Sequence, residues 1–165
     1  MSIPIKITTY YEQPPEVTVR TWRELLRESH ADIGDHWVRT MLPGHFERGA
    51  REKYGYAARS KGYLARKTNV WRKGKAAPPF LDLVFSGDMR RVMLSVVSVR
   101  GFPSRTTITM VAPNYMTFRP KGNQPDKHAE VTRVTPAQER ELSELLNERV
   151  TEKLNALKEP KTETS

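Results

Sequence analysis

The chain has 165 residues, the size of one domain, with 37% hydrophobic and 28% charged residues, a balance that excludes a disordered tail or a membrane protein. It has no cysteine, which excludes disulfides, thiolate zinc sites and cysteine nucleophiles together. Its net charge of +9 asks for an anionic partner or a solvated basic loop, and no apolar run approaches the ~18 residues of a membrane span.

Met1 to Thr9 lack the charged and apolar regions of a secretory leader, so synthesis inside the cell is expected. Ile3, Ile5 and Ile7 alternate with polar neighbours, the period of a half-buried strand, and Pro4 places that strand at an edge. Gln13-Pro14-Pro15 breaks the chain. From about Thr18, residues Trp22, Leu25, Leu26, Ile33, Trp37 and Met41 fall mainly on one face of a helix, with Thr21 and Glu24 as a capping box. Gly34 weakens its middle and Leu42-Pro43-Gly44 ends it.

The basic segment follows. Between Arg48 and Lys75 lie ten basic residues and one acid, Glu52, so this segment carries the whole excess; elsewhere 18 basic residues face 18 acidic ones. A helical turn or two fits His45 to Tyr54. Beyond it Gly55, Gly62, Gly74 and Pro78-Pro79 predict a loop-rich excursion over 45–80, ordered by a partner more than by itself.

Val92 to Arg100 and Arg105 to Ala112 are rich in β-branched residues and read as a hairpin joined through Gly101-Phe102-Pro103-Ser104. Tyr115 to Arg119 is a candidate third strand after the Pro113-Asn114 turn. Thr135-Pro136-Ala137-Gln138 combines a capping threonine, a proline at the first helical position and a glutamine three residues after the cap. Leu142, Leu145, Leu146, Val150, Leu154 and Leu157 then form an apolar stripe expected to lie against the hairpin, and Pro160 stops the helix. The expected fold is a single α+β domain over 1–158. A small antiparallel hairpin-based sheet is packed by an N-terminal and a C-terminal helix, with 159–165 a disordered tail.

Chemical motifs are sparse. His30, Asp32, Asp35, His36 and His45 lie close in sequence, but on a helix only Asp32 with Asp35 or His36 share a face, and no metal-ligand spacing is present. Tyr54, Tyr56 and Tyr63 among arginines suggest a tyrosine nucleophile, yet the segment offers one acid, so basic and aromatic residues interleaved read better as a contact surface. Ser86-Gly87-Asp88 has no phosphate loop or nucleophile elbow around it and reads as a turn feeding the first hairpin strand. No catalytic, cofactor or metal site is expected. The expected contact residues are Arg48, Arg51, Lys53, Tyr54, Tyr56, Arg59, Lys61, Tyr63, Arg66, Lys67, Trp71, Arg72 and Lys73, with Ser86, Gly87, Arg90 and Arg91 as a structural turn.

His45-Phe46, Ala50, Tyr54-Gly55-Tyr56, Arg59-Ser60, Tyr63, Lys67, Pro79 and Ser86-Gly87-Asp88-Met89-Arg90-Arg91 together resemble the small morphogenesis proteins encoded with tailed-phage head and tail genes. The resemblance covers about residues 37 to 157. In one place it departs: relatives often carry glutamate-phenylalanine-glycine after the hairpin, where this chain has Tyr115-Met116-Thr117-Phe118-Arg119-Pro120. It implies a structural virion protein, not an enzyme, at the head–tail junction: a neck, head–tail joining or tail-completion subunit. Such a subunit is made in the host cytoplasm and forms a ring with copies of itself, against neighbouring neck, connector or tail-tube proteins and around phage DNA. The alternative reading is a small basic protein that binds nucleic acid without regard to sequence.

Overall fold

A computed structural model describes residues 2–5, 19–95, 97–111 and 125–158. Strand β1 (Ser2–Ile5) leads to helix α1 (Val19–His36), which widens into a π-helical turn over Trp37–Met41 and tightens into a 3-10 turn over Leu42–Phe46. Helices α2 (Ala50–Tyr54), α3 (Lys61–Arg72) and α4 (Asp88–Ser95) follow, then β2 (Val97–Phe102), β3 (Arg105–Met110), α5 (Lys127–Val131) and α6 (Pro136–Lys158). The fold is α+β. No helix among the described residues is long and apolar enough to cross a membrane.

The strands form one antiparallel sheet in the order β1-β3-β2. Ile3 pairs with Ile108, and Val99 pairs with Ile108 from the other side. Pro4 therefore sits in an edge strand, where its missing amide hydrogen removes least from the ladder. Helix α1 lies across β2 and β3 on one side and against α6 on the other. Its buried residues, from Trp22 through Ile33, join Ile108, Met110, Leu142, Leu146 and Val150 in one core.

Two glycines set how closely helix and sheet approach. A Cβ on Gly101 would lie 1.9 Å from the Arg27 carbonyl oxygen and 2.6 Å from the Ala31 nitrogen. One on Gly34 would meet Val99 Cγ1 at 2.4 Å and Thr106 Cγ2 at 2.5 Å. Gly34 is thus a packing surface, and whatever helix propensity it costs is offset by close contact with the sheet. The Thr106 hydroxyl donates to the His30 carbonyl at the same seam.

Several elements differ from the sequence expectation. Val92 to Ser95 is helical, because Met89 and Met93, one turn apart, are both buried in the core. The Ser86 hydroxyl meets the Asp88 amide at 3.4 Å and Gly87 takes φ 91°, so this turn opens α4 and not a strand; Arg90 and Arg91 ride on that helix, exposed. The hairpin closes through Pro103-Ser104 alone, since Gly101 and Phe102 still pair with Thr106 and Arg105. The apolar stripe of α6 packs mainly on α1, within the core it shares with Ile108 and Met110 of the hairpin. The capping box of α6 is present: the Gln138 amide donates to Thr135 Oγ1 at 3.2 Å, and the Thr135 amide donates to Gln138 Oε1 at 3.0 Å. The candidate strand at 115–119, the Pro14-Pro15 break and the expected tail at 159–165 lie outside the described residues.

Gly101→Ala introduces one methyl against helix backbone that has no rotamer to yield. A loss of about 1–3 kcal/mol or more is expected, lowering the thermal midpoint by about 2–4 °C per kcal/mol. Ala at the exposed, unobstructed Gly62 is the control, and equal midpoints for the two variants would show that the α1–hairpin contact is loose.

Candidate binding surface

Residues 45–80 carry two helices, α2 and α3, between their loops. The glycines expected to disrupt the segment punctuate helices: Gly55 (φ 63°) closes α2, and Gly74 (φ 70°) follows the end of α3. Ser60 caps α3, its hydroxyl accepting from the Tyr63 amide at 3.2 Å. Local signals place the helices, and buried side chains fasten them to the body.

The first fastening is aromatic. His45 stacks on Tyr54 with ring centroids 3.7 Å apart and planes 14° apart, and Tyr56 lies 5.8 Å beyond Tyr54. His45 Nδ1 is 2.6 Å from the Tyr56 hydroxyl. Burial pushes His45 down to about 4, helped by Lys53 and opposed by the Glu130 backbone. Burial likewise pushes the Tyr56 phenol up, so a protonated tyrosine and a neutral imidazole share this hydrogen bond. The Tyr54 hydroxyl donates to the Met41 carbonyl at 3.4 Å and accepts from Gln138 Nε2 at 3.2 Å, tying α2 to the first turn of α6.

The second fastening is ionic. The Arg59 side chain, only 5% exposed, donates to Glu130 Oε1 at 2.9 Å and Oε2 at 2.6 Å, and its Nε lies 3.6 Å from Asp82. Burial is the largest influence and opposes the Arg59 charge, yet the Glu130 hydrogen bonds and the charges of Glu130 and Asp82 together outweigh it and the guanidinium is held above its ordinary value. Glu130 also accepts from the Ala57 amide at 3.1 Å. Asp82 accepts from Arg51, and buried Lys67 donates to the Leu81 carbonyl. Burial lowers Lys67 to about 8, against the attraction of Asp82. Arg133 closes the C-terminal end of α2 through the Tyr54 carbonyl at 3.1 Å and the Gly55 carbonyl.

Four expected contact residues, Tyr54, Tyr56, Arg59 and Lys67, are therefore interior. Each finds in the fold the hydrogen bond or counter-charge it was expected to seek in a partner. Two of the three tyrosines raised as nucleophiles are among them. The third, Tyr63, is half-buried with its phenol pushed up by burial. The histidines and acids raised as ligands are also dispersed. His30 Nδ1 faces the Leu26 carbonyl at 2.8 Å, His36 pairs with Glu141 at 2.9 Å and Asp32 with Lys153 at 3.0 Å. Among the described residues no three potential ligands come together.

What remains faces solvent. Arg48, Lys53, Lys61, Arg66, Arg72, Lys73 and Lys75 are exposed, with Glu52 the one acid of the segment. Trp71 is 42% exposed and Phe80 is 52% exposed. The Arg48 guanidinium sits 5.3 Å over the Phe80 ring, and that of Arg66 lies 6.0 Å from Tyr63 and 5.6 Å from Phe85. Between α2 and the 79–82 loop opens a cleft of about 570 Å³, lined among others by Arg48, Arg51, Glu52, Leu64, Phe80 and Asp82.

No family model, curated protein or solved structure matches this chain.

Sequence reasoning missed Asp82, Glu130, Phe80 and Arg133. Asp82 had a signal, being the only acid between Glu52 and Asp88 in a run of positive charge. Glu130 had none, since its partner Arg59 lies 71 residues earlier.

The neutral His45 has a consequence for acid stability. Folded at about 4 against an ordinary 6.5, it leaves the unfolded chain binding one more proton between those values. Stability is full above about pH 6.5 and declines as pH falls toward 4, by on the order of 3 kcal/mol from this group. Urea midpoints over that range should fall more steeply for the native protein than for His45→Gln. Parallel curves would mean that His45 is charged in the fold.

Proposed function

We propose that the chain is a structural subunit of a tailed-phage virion at the head–tail junction, of the neck or tail-completion type, and that it is not an enzyme. The outward face of α3 and the adjoining 79–82 loop dock an acidic surface on a neighbouring neck, connector or tail-tube protein. One observation carries the reading: the segment divides its charge. Arg51 and Arg59 turn to the internal acids and Lys67 to the Leu81 carbonyl, while seven cations are left outward and Trp71 and Phe80 are exposed. The cleft is lined by Arg48 and Phe80, and Trp71 is exposed on α3; arginine and aromatic side chains are what protein interface cores select, whereas a loop kept for solubility has no reason to expose aromatics.

The sequence resemblance to phage morphogenesis proteins supports the same role. Ring assembly with copies of itself is part of the proposal, and the sheet offers two edges for it, β1 and β2. Localisation follows as the virion neck or tail junction. A sequence-independent nucleic-acid role for this same face is the rival reading. It would show as weak, steeply salt-dependent DNA affinity that depends on these cations.

The variant Lys61→Gln/Arg66→Gln/Arg72→Gln/Lys73→Gln alters exposed positions outside the Arg59 contacts, so its thermal midpoint should match the native one. Complemented particles should lose infectious titre at least tenfold, and cryo-electron microscopy of native particles should show several copies around the tail axis. Normal titre from the folded variant, or no density at the junction, contradicts the proposal.

A further inference from the structure

Outside the basic segment the sequence is neutral, but the fold does not distribute that neutrality evenly. The hairpin tip lies alongside the first turns of α1, because Gly101 lets the strand backbone touch Arg27 and Ala31. Pro103 and α1 then border a groove of about 600 Å³ whose wall carries Arg20, Arg23 and Arg27. Arg100 and Arg105 flank the same tip, their guanidiniums 5.0 Å and 4.7 Å from the Phe102 ring centroid. All five arginines are exposed. Among the described residues the groove has one acid, Glu24, which pairs with Arg20 at 3.3 Å, while Glu28 is engaged by Lys153 at 3.3 Å.

We infer that the hairpin tip and the first turns of α1 form a second contact surface, one that grips the phosphodiester backbone of nucleic acid without reading its sequence. Three features favour phosphate over an acidic protein. Every cation here is arginine, whose planar fork binds phosphate oxygens in pairs and is held by stacking, as Phe102 holds two of them. The α3 face leaves Trp71 and Phe80 exposed for a protein partner to cover, whereas the aromatic at the tip, Phe102, is half-buried beneath two arginines. Arg20 to Arg27 span about 10 Å of helix at 1.5 Å per residue, a length of about three phosphates along one strand.

This surface shares no residue with the α3 face, so the two stand or fall separately. It assigns DNA to the tip and leaves the protein partner to α3.

Fluorescence anisotropy of a short labelled duplex, titrated with full-length protein across a salt series, tests the assignment. Native protein should bind weakly, with affinity falling steeply as salt rises. Arg23→Gln/Arg27→Gln/Arg100→Gln/Arg105→Gln should bind at least tenfold more weakly and flatten the log–log salt slope by about 3–4, at about 0.9 per phosphate contact. The same four positions as lysine should keep the slope, and the α3 glutamine variant should leave it unchanged. If the fourfold variant does not fold, Arg23→Gln/Arg27→Gln, at exposed helix positions that glutamine suits, should still flatten the slope by about 2. Native protein without salt-dependent affinity overturns the inference, as does a folded tip variant with the native slope or a loss that follows the α3 variant instead. Lost particle titre for the α3 variant together with an intact DNA slope would separate the two surfaces directly.

Discussion

The rest of the structure depends on Arg59 lying between Glu130 and Asp82. These groups are almost entirely removed from water, and taking them from it is costly unless every charge is met. Here they are met: Glu130 accepts both guanidinium donors and an amide, and Asp82 faces Arg51 and Arg59. Such a set adds little over a well-packed apolar core, but losing one member strands a buried charge at about 3–5 kcal/mol. Its contribution is to specify one arrangement. The chain after α2 runs to α5 at Ala57 and Arg59, and α3 then lies over the 81–82 turn through Lys67.

That arrangement decides which charges are available. A count along the sequence puts +9 on one segment and nothing elsewhere. In three dimensions part of the segment's charge is consumed internally, while arginines from a neutral stretch gather at the hairpin tip. Net charge per segment measures composition; the potential a partner meets depends on which side chains the fold turns outward.

The legible parts of the sequence were those governed by neighbours in the chain. Thr135, Pro136 and Gln138 announce the start of α6 within four residues, and the spacing of Trp22, Leu25, Leu26 and Ile33 announces α1. The illegible parts depend on distant residues. Gly34 looks like a weak point in a helix until Val99 and Thr106 are seen against it. Val92 has strand propensity, but Met89 and Met93 reach the core only if the chain is helical there. Tyr54 and Tyr56 look like a surface motif until His45 and Gln138 are placed beside them. The candidate surface was legible in its charge and in Trp71. It was not legible in the division between inward and outward cations, which Asp82 and Glu130 determine.

Hydrogen exchange of the isolated protein tests most directly whether the basic segment is a fastened part of the body. The amides of α3 should be protected in the native protein. In Glu130→Ala, which strands Arg59, α3 should lose protection while the middle of α1 keeps it. Free exchange across α3 in the native protein, or protection indifferent to loss of Glu130, would contradict the account.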